Sequence, residues 1–172
     1  QDQTVVSGGL KQFATLKGNT ALKAVLQFTP PTPSLKKLHV SAIGSICSKL
    51  SDKVLISTTQ SQDIRLKKCA IKTLAAKSST GKSKLKRRLL PVLKKLAKSK
   101  NSELRALAIE GLGDLNDKST HAMLIKATKD ADTAVIAAAA GGLRHVDNAE
   151  PILLELSTHP SSKVNAQAFR AM

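Results

Sequence analysis

One amphipathic pattern returns five times along this chain, and it restricts the possible folds more than any other feature. Its clearest copy spans residues 102–117, where Leu104, Leu107, Ala108, Leu112 and Leu115 stand three or four apart and make one apolar stripe, widened by Ile109. Asn101 or Ser102 can cap the start, and Gly113 and Asn116 loosen the end. A helix of this length is marginal alone, so it needs neighbours. The spacing is matched upstream by Leu35, Leu38, Val40, Ile43 and Ile46, and by Leu66, Cys69, Ile71 and Leu74. Downstream it is matched by Val135, Ala138, Ala140, Leu143 and Val146, and more weakly by Val164, Gln167, Phe169 and Met172. Copies starting at 35, 66, 104, 135 and 164 have the near-fixed period of a solenoid.

Shorter amphipathic segments lie between the copies and supply a second helix for each. Residues 119–129 carry Ala122, Met123, Ile125 and Ala127, and residues 148–157 carry Pro151, Ile152, Leu153, Leu154 and Leu156. Pro151 falls in the first helical turn, where its missing N–H is not needed. Leu104-Arg105 through Gly113-Asp114-Leu115 resembles the second-helix line of short HEAT-like repeats, Val-Arg-x-x-Ala-Ala-x-Ala-Leu-Gly-x-Leu. Residues 147–156, an Asp followed by a Pro and a Leu run, resemble that family's next first helix. The resemblance covers residues 34–172 and implies an all-α fold, an α-solenoid of about five HEAT-like helix pairs whose second helices line a concave face.

The remaining composition agrees with a single repeat domain over residues 1–172. Ala, Leu and Lys dominate, no run alternates as a strand would, and no apolar run reaches the ~18 residues of a membrane span. Residues 1–33 read as an irregular N-terminal cap or partial repeat, with a first helix over 20–28 ended by Thr29-Pro30-Pro31-Thr32-Pro33. Ser34 is placed to cap the next helix. Cys47 and Cys69 both fall on predicted helices and read as buried thiols packing as small hydrophobes; a disulfide needs Cα atoms within ~7 Å. His39, His121, His145 and His159 have no metal spacing and read as surface residues. The absence of a disulfide framework and of Asn-x-Ser/Thr sequons leans toward the cytoplasm or nucleus.

Charge is the strongest functional signal. Residues 1–100 hold 21 Lys or Arg against three acids, a net +18, whereas residues 101–172 hold seven against nine, a net −2. The densest block, 77–100, reads as a Ser-rich loop leading into a helix built on Leu85, Leu89, Leu90, Val92, Leu93 and Leu96, with Lys84, Lys86, Arg87, Arg88, Lys94, Lys95 and Lys98 outward. Three readings fit it: a solvated helix face, a nuclear-import cluster at residues 84–88, or a polyanion-binding surface. In the last, Lys82 belongs to the same block, and Lys36, Lys37, Arg65, Lys67, Lys68 and Lys72 extend it across stacked repeats, whose helices sit ~10 Å apart.

Catalytic signals are nearly absent. The Walker-like run AKSSTGKS at residues 76–83 follows a repeat helix rather than a β-strand, so it lacks the setting a phosphate cradle needs. Some DNA glycosylases are HEAT-like, but they hold the lesion with aromatic residues, and this chain has no Trp or Tyr. Phe13, Phe28 and Phe169 sit at core-like positions. Phycobilin lyases share the short repeats without any residue here pointing to them. Lack of aromatics also disfavours single-strand binding by stacking and leaves duplex binding through phosphates. The bulk-free run Ala137 to Gly142 reads first as close helix packing, and second as a backbone-lined notch. The reading is a non-catalytic scaffold with an acidic protein partner, no cofactor, no metal and no small-molecule substrate evident; duplex nucleic-acid binding is the alternative, and a glycosylase-like enzyme a distant third.

Overall fold

The computed structural model describes residues 7–12, 22, 24, 25, 27–79 and 83–172, and within that range there are helices, turns and no strand. The chain gathers into two compact units, Gln1–Thr73 and Leu74–Met172. All five copies of the sequence pattern are helices, and a further helix precedes each of the last four. The pattern helices are α1 (Pro33–Ser48), α3 (Ile64–Ser79), α5 (Ser102–Leu115), α7 (Thr133–Gly142) and α9 (Ser162–Ala171). Between them run α2 (Asp52–Thr58), α4 (Ser83–Leu96), α6 (His121–Ala127) and α8 (Glu150–Ser157). Residues 22, 24, 25 and 27 are helical, in keeping with the first helix expected over 20–28.

Local chemistry sets most of the boundaries. Thr32 caps α1 by accepting from the Leu35 N–H at 3.3 Å, and Pro33 opens the helix, so the cap lies two residues before the predicted Ser34. Ser51, Asn101 and Asp132 cap α2, α5 and α7 in the same way. Asn116 ends α5 at φ 44° and ψ 59°, a left-handed position that Asn tolerates better than most residues. The loop expected from Lys77 is still helix as far as Ser79, with the Ser78 hydroxyl donating to the Leu74 carbonyl at 2.7 Å; residues 80–82 lie outside the described residues.

In the N-terminal unit, Ile43, Ile46, Ile71 and Leu55 are buried, and α1 and α3 are joined by a disulfide between Cys47 and Cys69, with Cα atoms 6.3 Å apart. This overturns the reading of two free thiols. Helical spacing places each Cys on an apolar face but says nothing about whether the two faces meet. His39, predicted at the surface, is 4% exposed; its Nε2 lies 2.7 Å from the Val25 carbonyl and Phe28 meets its ring edge-on. A buried imidazole satisfied by a carbonyl of the preceding segment explains the difference.

In the C-terminal unit, α5 packs on α7 and α7 on α9, while α4, α6 and α8 back them. The bare run in α7 is there to let helices touch. A Cβ added to Gly113 would lie 2.6 Å from the Gly142 Cα, so α5 and α7 meet backbone to backbone. Ile109, one turn before Gly113, and Ala140, at the same step of α7, are buried. Phe169, the equivalent residue of α9, is 60% exposed, and Val40 in α1 is 68% exposed. Both were expected in the core.

Candidate basic face

Helix α4 is the most one-sided helix of the C-terminal unit. Leu85, Leu89 and Leu93 are buried a turn apart, with Val92 and Leu96 partly covered beside them. At 3.6 residues per turn, Lys84, Arg87, Arg88 and Lys95 then share an opposite arc of roughly 100°, and all four are exposed, as is Lys98 in the turn that follows the helix. Pro91 lies on the same arc inside the helix, where it removes one backbone hydrogen bond on the solvent side.

Two cations of this block do something else. Lys86 Nζ reaches Asp117 at 3.3 Å and donates to the Asn116 carbonyl, and Lys94 Nζ lies 3.1 Å from the Ser119 hydroxyl. They tie α4 to the turn after α5, where Asp117 also caps the short 3-10 segment Lys118–Thr120. The outward placement predicted for Lys86 and Lys94 therefore fails. They flank the apolar stripe at the edge nearest α5, where their stems lie along the helix packing and their heads find acceptors.

In the N-terminal unit, Lys36 and Lys37 are exposed on α1. Arg65, Lys68 and Lys72 recur at three- and four-residue steps along one face of α3, with Lys67 around its side, Arg65 and Lys72 exposed and the others half-buried. Arg65 is held by its own neighbour: Nε and Nη2 donate to the Asp63 carboxylate at 3.2 and 2.8 Å, while Asp63 also accepts the Arg65 backbone N–H. That Arg65 fork, offset in part by burial, holds the Asp63 carboxyl below its ordinary range. Lys82 lies outside the described residues.

Among the acids of the C-terminal unit, Asp117, Asp130 and Asp132 stand in turns, whereas Asp114 lies inside α5. Arg105 closes a two-pronged bond on Asp130, Nε to Oδ2 at 3.0 Å and Nη2 to Oδ1 at 2.8 Å, and donates to the Ser99 and Lys100 carbonyls. The fork lowers the Asp130 pKa; Asp132 is lowered first by Ser102 and then by the Ala134 N–H it caps. Arg144 reaches Asp114 at 3.3 Å. Sequence inspection did not single out Arg105 as a brace, although its place in the repeated line was visible. Among the described residues, no group of three or more His, Cys, Asp or Glu is arranged to hold a metal, and no helix is long and apolar enough to cross a membrane.

These helices define a repeat protein of the armadillo-like, α-solenoid class. Within it, the family model described as HEAT repeats matches residues 89–172, so the stretch from the middle of α4 through α9 is HEAT-repeat sequence, as its repeated line suggested. Among solved structures, an engineered protein is similar at 23% identity and TM-score 0.55, covering 96% of this chain and 86% of its own. A designed armadillo repeat protein, solved in complex with the peptide (KR)4, is similar at 20% identity and TM-score 0.54, covering 96% and 89%. These likenesses concern the fold. No protein of curated function matches the chain in sequence.

Proposed function

We propose that this chain is a non-catalytic HEAT-like scaffold that docks an acidic segment of a partner protein on the exposed arc of α4. The observation that carries the reading is the division of labour on that helix: Leu85, Leu89 and Leu93 bury one side, and Lys84, Arg87, Arg88 and Lys95 stay on the other, with Lys98 exposed in the turn beyond. Cations on a rigid helix lose less freedom on binding than cations on a loop. Arg65, Lys68 and Lys72 offer a second basic face on α3. The fold supports a protein-interaction role, and the designed armadillo neighbour was solved with a bound peptide. Duplex nucleic acid is the second reading. The four cations on the helix run along ~17 Å of its axis and could follow phosphates without reading bases.

The test is binding of poly-glutamate and of a random-sequence DNA duplex at ~50 and ~200 mM salt. Three proteins are compared: the parent chain, a variant with Lys84, Arg87, Arg88, Lys95 and Lys98 all changed to Gln, and Lys86→Gln as a control for the cation that braces the fold. Loss of poly-glutamate binding in the five-site variant alone supports the proposal. Duplex binding with a steep salt dependence moves the nucleic-acid reading ahead. Parent-like binding by the five-site variant sinks both.

A further inference from the structure

We infer that the Cys47–Cys69 bridge is a thiol-reversible clasp that controls how firmly α3, and the basic face it carries, is held in the N-terminal unit. The bridge joins α1 to α3 across a sequence separation of 22 residues, and both helices are pattern helices of neighbouring repeats. Its two residues are unequally covered: Cys47 is fully buried, whereas Cys69 is only partly covered, so Cys69 is the end from which an incoming thiolate would approach. The reduced state is also provided for: Cys69 Sγ lies 3.3 Å from the Ile43 carbonyl, which can accept a hydrogen bond from the freed thiol. A bridge that only stapled the unit would need neither a partly covered cysteine nor a waiting acceptor.

The chemistry is ordinary thiol–disulfide exchange with a low-molecular-weight thiol such as glutathione. A glutathione thiolate attacks Cys69 Sγ, the Cys47–Cys69 bond breaks, and Cys47 leaves as a thiolate that takes up a proton. A second glutathione thiolate then attacks the glutathione sulfur of the mixed disulfide. Cys69 leaves and is protonated, and oxidised glutathione carries away the bond. Two electrons pass to the protein, one from each glutathione. Once cut, α3 loses its covalent tie to α1 and keeps its non-covalent contacts, the buried Ile71 among them. Arg65, Lys68 and Lys72 stand on that helix, so their presentation follows its order.

This second effect rests on the proposed role of the cations; the clasp itself does not. The full chain is equilibrated in glutathione buffers from fully reduced to fully oxidised and the thiols are trapped by alkylation. Amide hydrogen exchange is followed over residues 64–79, and poly-glutamate binding is measured on the same samples. The expected result is reversible conversion under native conditions, with exchange in α3 up to roughly 300-fold faster in the reduced form, the factor that closing a loop of this size is worth. The variants Cys47→Ser and Cys69→Ser should match the reduced form in every buffer. A bridge that resists glutathione until the protein unfolds, or equal exchange in both forms, overturns the clasp. Poly-glutamate binding by neither form, with exchange still redox-dependent, removes the binding reading and leaves the clasp standing.

Discussion

Helices α4 and α7 belong to the same unit and meet opposite demands. α4 packs mainly on α5 and exposes a full side to solvent, so it can be large and apolar on one face and cationic on the other. α7 lies between α5 and α9, and Val135, Ala137, Ala139, Ala140 and Gly142 are buried around much of its circumference. A helix covered on two sides has to be thin, and one covered on a single side is free to carry charge. Binding chemistry in such an array therefore belongs on helices like α4, while helices like α7 set how closely the repeats approach.

The contrast can be broken by substitution. The largest effect should come from Leu93→Ala, which empties a fully buried site under α4 and should cost about 2–5 kcal/mol in denaturant unfolding. Gly113→Ala should cost about 1–3 kcal/mol, because its Cβ meets backbone that cannot rotate away; a neutral result would show that α5 and α7 are not in backbone contact. Arg105→Ala removes the fork on Asp130 and two bonds to carbonyls and should lower the unfolding midpoint, most of the loss being shared with Asp130→Ala in a double-mutant cycle.

Acid should act more gently. Asp63, Asp117, Asp130 and Asp132 all have folded-state pKa values below their ordinary 3.8. Their stabilising contribution is thus fully present above the unfolded value and is lost as pH falls below about 4 through the folded values. Thermal scans between pH 5 and pH 2 should show the midpoint dropping, and Asp130→Asn should flatten part of that drop. Smallest of all, changing the five exposed cations of α4 and the turn after it to Gln should move stability by no more than about 0.5 kcal/mol while changing binding. A large loss of stability would mean that the arc is structural.

The helical repeat was legible because apolar spacing is a local property. Every copy of the pattern became a helix, and Asn101, Asp132 and Pro151 took the terminal roles their chemistry suggests. Cation density in residues 84–98 was equally plain, but the roles within it were not. Lys86 and Arg87 are neighbours in sequence, yet one binds Asp117, thirty-one residues away, and the other faces solvent.

What the chain determined by itself, then, is the type, number and order of its helices, because hydrogen bonding within a helix and the position of its apolar stripe involve residues only three or four apart. Tertiary structure alone decided the pairing of Cys47 with Cys69, the burial of His39, the Gly113–Gly142 contact and the exposure of Phe169. Each depends on which surface of another helix arrives opposite. That is a property of the stack, and no single copy of the repeat contains it.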